Sequence, residues 1–376
     1  MTDLDLDDPA ASPFAPDGLP GVAVVIGTGL IGASIGCALT EAGCRVHLRD
    51  HKLSHAQVAA SLGAGVTEAP RSADVEVVVV AVPPAAIPDV VGHALQTYRA
   101  ATVTDVGSVK AGVLDALWDR HVPIERYVGS HPMAGSQRSG PMAANAGLFA
   151  DRTWVITPHR RSATASIETV ASVVTACRAR PVVMDVDDHD AAVARVSHLP
   201  HLMSVLMAGH LNTVSAEDLL LAGQGLRDVT RVAASDPELW EQILSANAAA
   251  VASELRTVQA ELASLIGAIE ARPASRGLRA QLERGVTGTR KIPGKHGAQP
   301  VDYRQVVVEI PDHPGALAQL FATVEAAGVN IEDVSIEHDQ VLQVGYLALS
   351  VSPQRADGLV AAIAASGWRV ASHPSD

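Results

Sequence analysis

The hydrophobic pattern changes character twice along the chain. Val22–Ile26 is a short apolar run, a glycine-rich turn follows, and Leu30–Ala42 reads as a helix. Arg45–Leu48, Val75–Val82 and Thr102–Asp105 are further runs of strand length, and Tyr127–Gly129, Thr153–Thr157 and Val182–Asp185 extend the series. Apolar strands alternating with helical stretches predict an α/β doubly wound parallel sheet with helices on both faces. From about Asp187 the strand signals stop. Asp187–Thr213 reads as a helix kinked at Pro200, and Ser215–Ala222 and Asp228–Ser235 as short helices. A long helix starts at Pro237, behind Asp236, and runs to about Ala271. Within it Val251, Leu255, Val258, Leu262, Leu265 and Ile269 recur at steps of four and three, the spacing of a packed helical seam. The helical region is small for so long a stripe, so the seam predicts a helix shared across a homodimer.

The second change comes at residues 286–302, where Gly and Pro alternate with Arg290, Lys291 and Lys295 in a linker-like composition. Beyond it stand strand Gln305–Ile310, helix Ala316–Ala327, strands Ile331–Glu337 and Gln343–Val351, helix Arg355–Ala365 and strand Trp368–Ala371. That β-α-β-β-α-β order predicts a small α+β ferredoxin-like module.

Composition narrows the function classes. The chain has 376 residues with 28 Lys+Arg against 41 Asp+Glu, a net charge of −13. So acidic a balance argues against nucleic acid as a partner, because phosphate contacts need a basic surface. Cys37, Cys44 and Cys177 cannot all pair and have no CxxC spacing. They predict neither a disulfide framework nor a zinc site, and they fit a reducing cytoplasm. No apolar run approaches the ~20 residues of a membrane span. The first 20 residues hold five Asp and no Lys or Arg, which reads as a disordered acidic arm and not as a secretory signal.

Gly27-Thr28-Gly29-Leu30-Ile31-Gly32 is a G-x-G-x-x-G that follows a strand and opens a helix, and Asp50 closes the next strand. In that context the motif predicts a Rossmann-like dinucleotide site. Gly27 permits the tight turn, Gly29 admits the pyrophosphate and Gly32 allows close helix–strand packing. The helix N-terminus holds the phosphates. Asp50 would accept hydrogen bonds from the ribose hydroxyls, which favours NAD over NADP, although His51 and Lys52 adjoin it. Val82 and Pro83, at the end of the third strand, would lie against the nicotinamide ribose. The predicted domains are therefore the arm 1–20, a Rossmann-like domain 21–186, an all-helical domain 187–285, the linker 286–302 and the ferredoxin-like module 303–376.

Three clusters fall where a substrate would meet the nicotinamide. They are Thr104–Lys110 with Ser108, Gly129–Ser136 with His131, and Ser197-His198-Leu199-Pro200-His201, echoed by Gly225–Arg231. A dehydrogenase acting on an alcohol needs a base for the hydroxyl proton as hydride leaves, and histidine has a suitable pKa. His198 and His201 are three apart and share a helix face. Their HLPH spacing does not match a metalloprotease, and no metal site is predicted.

These motifs, together with Asp228-Val229-Thr230-Arg231 and Ser235-Asp236-Pro237-Glu238-Leu239-Trp240, resemble the prephenate/arogenate dehydrogenase family of tyrosine biosynthesis over about residues 20–285. Asp312-His313-Pro314-Gly315-Ala316-Leu317 and Gly328-Val329-Asn330-Ile331 resemble an ACT domain, a module that binds amino acids. The resemblance implies NAD-linked oxidative decarboxylation of prephenate, without a metal. It implies His131 as the base for the ring hydroxyl and Ser108 as the group that orients it. Arg231 would bind the ring carboxylate, and His201, Ser197 and His198 would line the pocket. Gln137 occupies a position where family members can carry an acid, and its neutrality leans toward prephenate over arogenate. In the ACT-like part Asp312, Gly315, Ala316, Leu317, Asn330 and Ile331 would hold L-tyrosine as a feedback regulator.

Three other functions compete. A 4-amino-4-deoxyprephenate dehydrogenase fits the motifs but not the amino-acid-binding module. A 3-hydroxyacid dehydrogenase shares the layout but relies on a lysine in its helical domain, and residues 187–255 contain none. A non-catalytic NAD and amino-acid sensor would have no need of Ser108, His131 and Arg231 together.

Overall fold

The structure, a computed structural model, describes residues 18–135, 140–271, 276–292, 303–311, 313–339 and 344–371. The chain forms two compact units, one ending at Ser264 and the other beginning at Leu265.

The first unit opens with β1 (Val22–Ile26), α1 (Leu30–Glu41), β2 (Arg45–Arg49), α2 (Leu53–Ser61), β3 (Val77–Val80), α3 (Ile87–Thr97) and β4 (Thr102–Asp105). The four strands are parallel in the order β2-β1-β3-β4. The unbroken valines of β3 are explained by a sheet buried on both faces. Val77 and Val79 pack with Ile35 and Leu39 of α1, while Val78 and Val80 pack with Val91 and Leu95 of α3. Leu19, within the predicted arm 1–20, packs on the first of these cores.

The expectation of an all-parallel sheet fails beyond β4. After α4 (Ala111–Asp119) come β5 (Gly129–Pro132), β6 (Thr153–Thr157), α5 (Thr164–Ala176) and β7 (Arg180–Val183). β5 runs antiparallel to β6, with His131 opposite Val155, and β6 runs parallel to β7. A parallel neighbour needs a crossover, commonly a helix. The described part of the β5–β6 connection forms only short 3₁₀ turns, Pro141–Ala143 and Ala146–Phe149. A parallel bridge from Val103 to Tyr127 joins this sheet to β4. β7 also starts two residues earlier than the predicted Val182–Asp185.

The helical region is more broken than its pattern suggests. It comprises α6 (Val186–Val193), α7 (Leu199–His210), α8 (Ala216–Leu219), α9 (Gln224–Thr230), α10 (Pro237–Ala246) and α11 (Ala248–Glu270). Between α6 and α7 lies a π-helical turn, Ala194–His198, so the irregularity expected at Pro200 is a widened turn just before it. The long helix predicted from Pro237 is interrupted at Asn247 (φ −117°, ψ 28°). Asp236 caps α10 by accepting from the Glu238 amide, with Pro237 in the first turn. Along α11 Val251 is buried, but Leu262 and Ile269 are 55% and 61% exposed. Much of the predicted seam is therefore uncovered within one chain. No helix among the described residues is long and apolar enough to cross a membrane.

The second unit contains α12 (Arg276–Thr289), β8 (Arg304–Pro311), α13 (Ala316–Ala326), β9 (Asp333–Asp339), β10 (Val344–Val351), α14 (Pro353–Ala365) and β11 (Arg369–Ala371). Its antiparallel sheet has the order β11-β8-β10-β9. Val306, Val308, Leu347 and Leu349 meet Leu320, Leu359 and Ile363 in one core. α12 runs through Thr289, so the start of the predicted linker 286–302 is helical.

Candidate active site

The glycine turn between β1 and α1 has the geometry its sequence predicts. Gly27 has φ +93°, and a Cβ on it would lie 2.3 Å from the Ala81 carbonyl oxygen and 3.1 Å from Val82 Cγ1. A Cβ on Gly32 would lie 1.8 Å from the Gly27 carbonyl oxygen. Gly29, by contrast, faces open space, with nothing within 4 Å of where its Cβ would be. No side chain caps α1 at this end. Free helix amides beside an open glycine suit a pyrophosphate, so the residues present fit a dinucleotide. Leu30 and Ile31 begin the helix, and Val82 with Pro83 adjoins the turn. A Gly29→Ala protein should keep its melting temperature yet bind NAD at least roughly tenfold more weakly, measured by titration calorimetry.

Asp50 does more than its predicted part. Its Oδ2 accepts from the Thr28 amide at 2.7 Å and the Thr28 hydroxyl at 2.9 Å. Its Oδ1 accepts from the Lys52 amide at 2.9 Å and lies 3.1 Å from His51 Nδ1. Burial alone would push this carboxyl up, but those hydrogen bonds outweigh it and hold it below its ordinary value. Asp50 thus braces the glycine turn. The His51 ring, 80% exposed, is the contact a ribose hydroxyl could replace.

His131 lies on β5, with Nδ1 3.0 Å from His189 Nε2. His189 Nδ1 is 2.8 Å from Asp190 Oδ1. The Asp190 carboxylate accepts from the Lys110 amide at 2.9 Å and the Ala111 amide at 2.8 Å, so it caps α4 from another element. Burial pushes His131 well below the ordinary histidine value, and the neighbouring His189, Lys110 and His198 add to the effect. A neutral imidazole held in this way is a competent proton acceptor. Burial would raise the Asp190 carboxyl, but the bonds from His189, Ala111 and Lys110 prevail and hold it low.

Ser108 sits on a loop pinned at both ends to this system. At one end Asp105, fully buried, pairs with Lys110 Nζ, accepts from the Gly107 amide at 2.9 Å and accepts from the Tyr127 hydroxyl at 2.7 Å. At the other end Lys110 donates its Nζ to the Ser130 carbonyl at 2.9 Å, next to His131, while its amide reaches Asp190. Ser108 lies on the wall of a cleft of about 490 Å³, shared with Pro84, Ala85, Ile87, Gln242 and Ser245.

His198 and His201 do not line that cleft; they gather around Trp240 of α10. The His201 ring stacks on Trp240 at 3.5 Å with 2° between the planes, and His198 meets the same indole edge-on at 6.1 Å. Asn247 donates its Nδ2 to the Asp190 carbonyl at 2.8 Å and lies 3.3 Å from His198 Nδ1. The break between α10 and α11 therefore joins His198 to the His131 system. Burial lowers both His198 and His201, and Asp190 partly restores the former. Ser197 is half-buried in the π turn. Arg231 is exposed on the turn after α9 that packs against α7 and has no ion-pair partner among the described residues. Asp228 bonds to Gln224 at 2.9 Å. Gln137 lies outside the described residues.

Sequence reasoning missed Asp105, Lys110, His189, Asp190 and Asn247. Asp105 and Lys110 stand in the cluster that contains Ser108, and a buried charge of each sign five residues apart was the available signal. His189-Asp190 follows Asp185, Asp187 and Asp188, where an acidic helix start is ordinary.

In the second unit Gly315 adopts φ +91° before α13, with Ala316 buried and Leu317 39% exposed. Asn330 donates to Glu332 Oε1 at 2.7 Å, and Ile331 packs partly on the core. These two groups lie at opposite ends of α13, about 16 Å apart along its axis. Asp312 lies outside the described residues.

Residues 35–183 match the family model for the nucleotide-binding domain of prephenate dehydrogenase, and residues 185–283 match the model for its dimerization domain. A Streptomyces niveus protein described as "Probable prephenate dehydrogenase NovF" is 32% identical over 357 residues, covering 92% of this chain and 98% of its own. The crystal structure of A. aeolicus prephenate dehydrogenase with hydroxyphenyl propionate and NAD+ is 25% identical. It has a TM-score of 0.64 and covers 71% of this chain and 96% of that one. Synechocystis arogenate dehydrogenase is also 25% identical, at a TM-score of 0.63, covering 72% of this chain and 99% of that one.

Proposed function

The chain belongs to the prephenate dehydrogenase family, and from that premise we propose that it converts prephenate to 4-hydroxyphenylpyruvate by NAD-dependent oxidative decarboxylation. The observation that carries the assignment is His131, held 3.0 Å from His189 beside the pinned Ser108 loop in surroundings that disfavour its imidazolium form. NAD, bound at the glycine turn, supplies the acceptor for the hydride leaving the hydroxyl-bearing ring carbon. His131 takes the hydroxyl proton as that carbon becomes a ketone. Loss of CO₂ makes the ring aromatic, and the proton returns from His131 to the phenolic oxygen. Ser108 orients the hydroxyl. Arg231 offers a guanidinium fork to the ring carboxylate. His201, Ser197 and His198 line the pocket, with His201 held flat by Trp240.

Prephenate and arogenate dehydrogenases resemble this fold about equally, so the choice rests on the neutral Gln137. NADH formation should be followed with prephenate and arogenate in parallel. Prephenate alone should be turned over fast, and Arg231→Ala should raise its KM more than it lowers kcat. Turnover of arogenate alone reverses the preference, and turnover of neither removes the assignment.

The exposed Leu262 and Ile269 on α11 support a homodimer through the helical region. We read the second unit as an ACT-like module that takes L-tyrosine. With its two recognition loops at opposite ends of α13, a pocket using both needs two copies of the module. Three buried, unpaired cysteines suit a reducing cytoplasm.

A further inference from the structure

We propose that His189 and Asp190 are positioning residues that fix which nitrogen of His131 is free to take the substrate's proton. The deduction starts at Asp190. An ionised carboxylate can only accept hydrogen bonds. Its amide partners, Lys110 at 2.9 Å and Ala111 at 2.8 Å, open α4, and the positive end of that helix favours the charged form. Asp190 Oδ1, at 2.8 Å, therefore requires the proton of His189 to be on Nδ1. A neutral His189 then offers only a lone pair at Nε2, which lies 3.0 Å from His131 Nδ1. His131 must donate there, so its Nδ1 carries the proton and its Nε2 is the bare base. The charged or titratable groups facing this chain from other elements are Lys110, His198 and Tyr127, the last donating its hydroxyl to Asp105. Lys110 is paired with Asp105, and His198 is held by Asn247. During turnover His131 gains a proton on Nε2, and its Nδ1–H stays bonded to His189. The link to turnover rests on His131 being the base of the proposed reaction, whereas the protonation pattern follows from the three distances with Asp190 ionised and His189 neutral.

Asp190→Asn tests this at constant shape. The Ala111 amide, at 2.8 Å from Oδ2, retains the side-chain oxygen, and the Lys110 amide exchanges its 2.9 Å bond to Oδ1 for the one at 3.3 Å to Oδ2, so the new NH₂ faces His189 Nδ1, which must then accept. His189 donates from Nε2, and His131 is left protonated on Nε2. The expected result is a kcat loss of about 10²-fold with prephenate, with KM and NAD affinity unchanged. In ¹⁵N-histidine NMR spectra, assigned against His131→Asn, His131 should be protonated on Nδ1 in the wild type and on Nε2 in the variant. His189→Gln keeps an acceptor and a donor and should retain at least roughly tenfold more turnover than His189→Leu. A purely structural role would lower the melting temperature and NAD affinity without moving the proton. Wild-type protein protonated on Nε2 of His131 overturns the proposal. So does a folded Asp190→Asn with unchanged kcat. If Asp190→Asn does not fold, the His189 pair decides, and equal loss in both overturns it. If the wild type turns over neither substrate, the proposed function fails while the spectra still decide the pattern.

Discussion

Replacing His131 with asparagine should lower turnover by ~10²–10⁴-fold, the range for removing a general base. NAD affinity should stay within about twofold, because the glycine turn and Asp50 share no bond with His131. The pH profile of the wild type carries the same information. Burial, His189, Lys110 and His198 all disfavour the imidazolium form of His131. Turnover should therefore persist below the ordinary histidine value of about 6.5 and fall only as pH drops through the lowered value. Stability has the same sign. Below about 6.5 the unfolded chain binds protons that His131, His198 and His201 refuse in the fold, so acid favours unfolding. Steady-state kinetics and melting curves across pH check both. A normal turnover in His131→Asn would move the base elsewhere.

Lys110→Met should produce the largest loss of stability. Lys110 is 1% exposed and Asp105 is fully buried, so removing the ammonium leaves a carboxylate without its counter-charge. Breaking such a pair from one side costs about 3–5 kcal/mol. For a unit of this size that corresponds to a fall in melting temperature of ~6–20 °C. Pairing the change with Asp105→Asn should recover part of the loss, since neither charge is then stranded. A Lys110→Met protein that melts with the wild type would show that Asp105 finds compensation from Tyr127 and Gly107 alone. Tyr127 already feels the pair: burial pushes its hydroxyl well up, and the Asp105 carboxylate pushes it further.

The strands and glycine turn were legible because their signals are local. Val22–Ile26, Gly27–Gly32 and Thr102–Asp105 each announce their state within a few residues. β5 was not, because its direction depends on a connection whose described residues form no crossover helix. Asn247 was hidden by its surroundings. The alanines and the stripe from Val251 to Ile269 continue the helical pattern through a residue whose side chain is used for tertiary bonds. The site divides in the same way. His131, His198 and His201 stand out as histidines near glycine and proline. His189 and Asp190 acquire meaning only when α6 is laid against the start of α4. Arg231 was read from its motif, but its exposure in a single chain could not be.

The π turn at Ala194–His198 changes how distance along the chain translates into direction. At about 100° per residue, eight residues of regular helix would set His198 roughly 80° round from Asp190. The wider turn absorbs about one residue, returning His198 to within roughly 20° of Asp190's line, where Asn247 bonds near both. One position is thus surplus to the alignment, and Val196, 68% exposed, can be that position. A shorter chain with seven residues and an uninterrupted helix would present the same two groups on the same line. A fixed-spacing pattern drawn from either length would overlook the other.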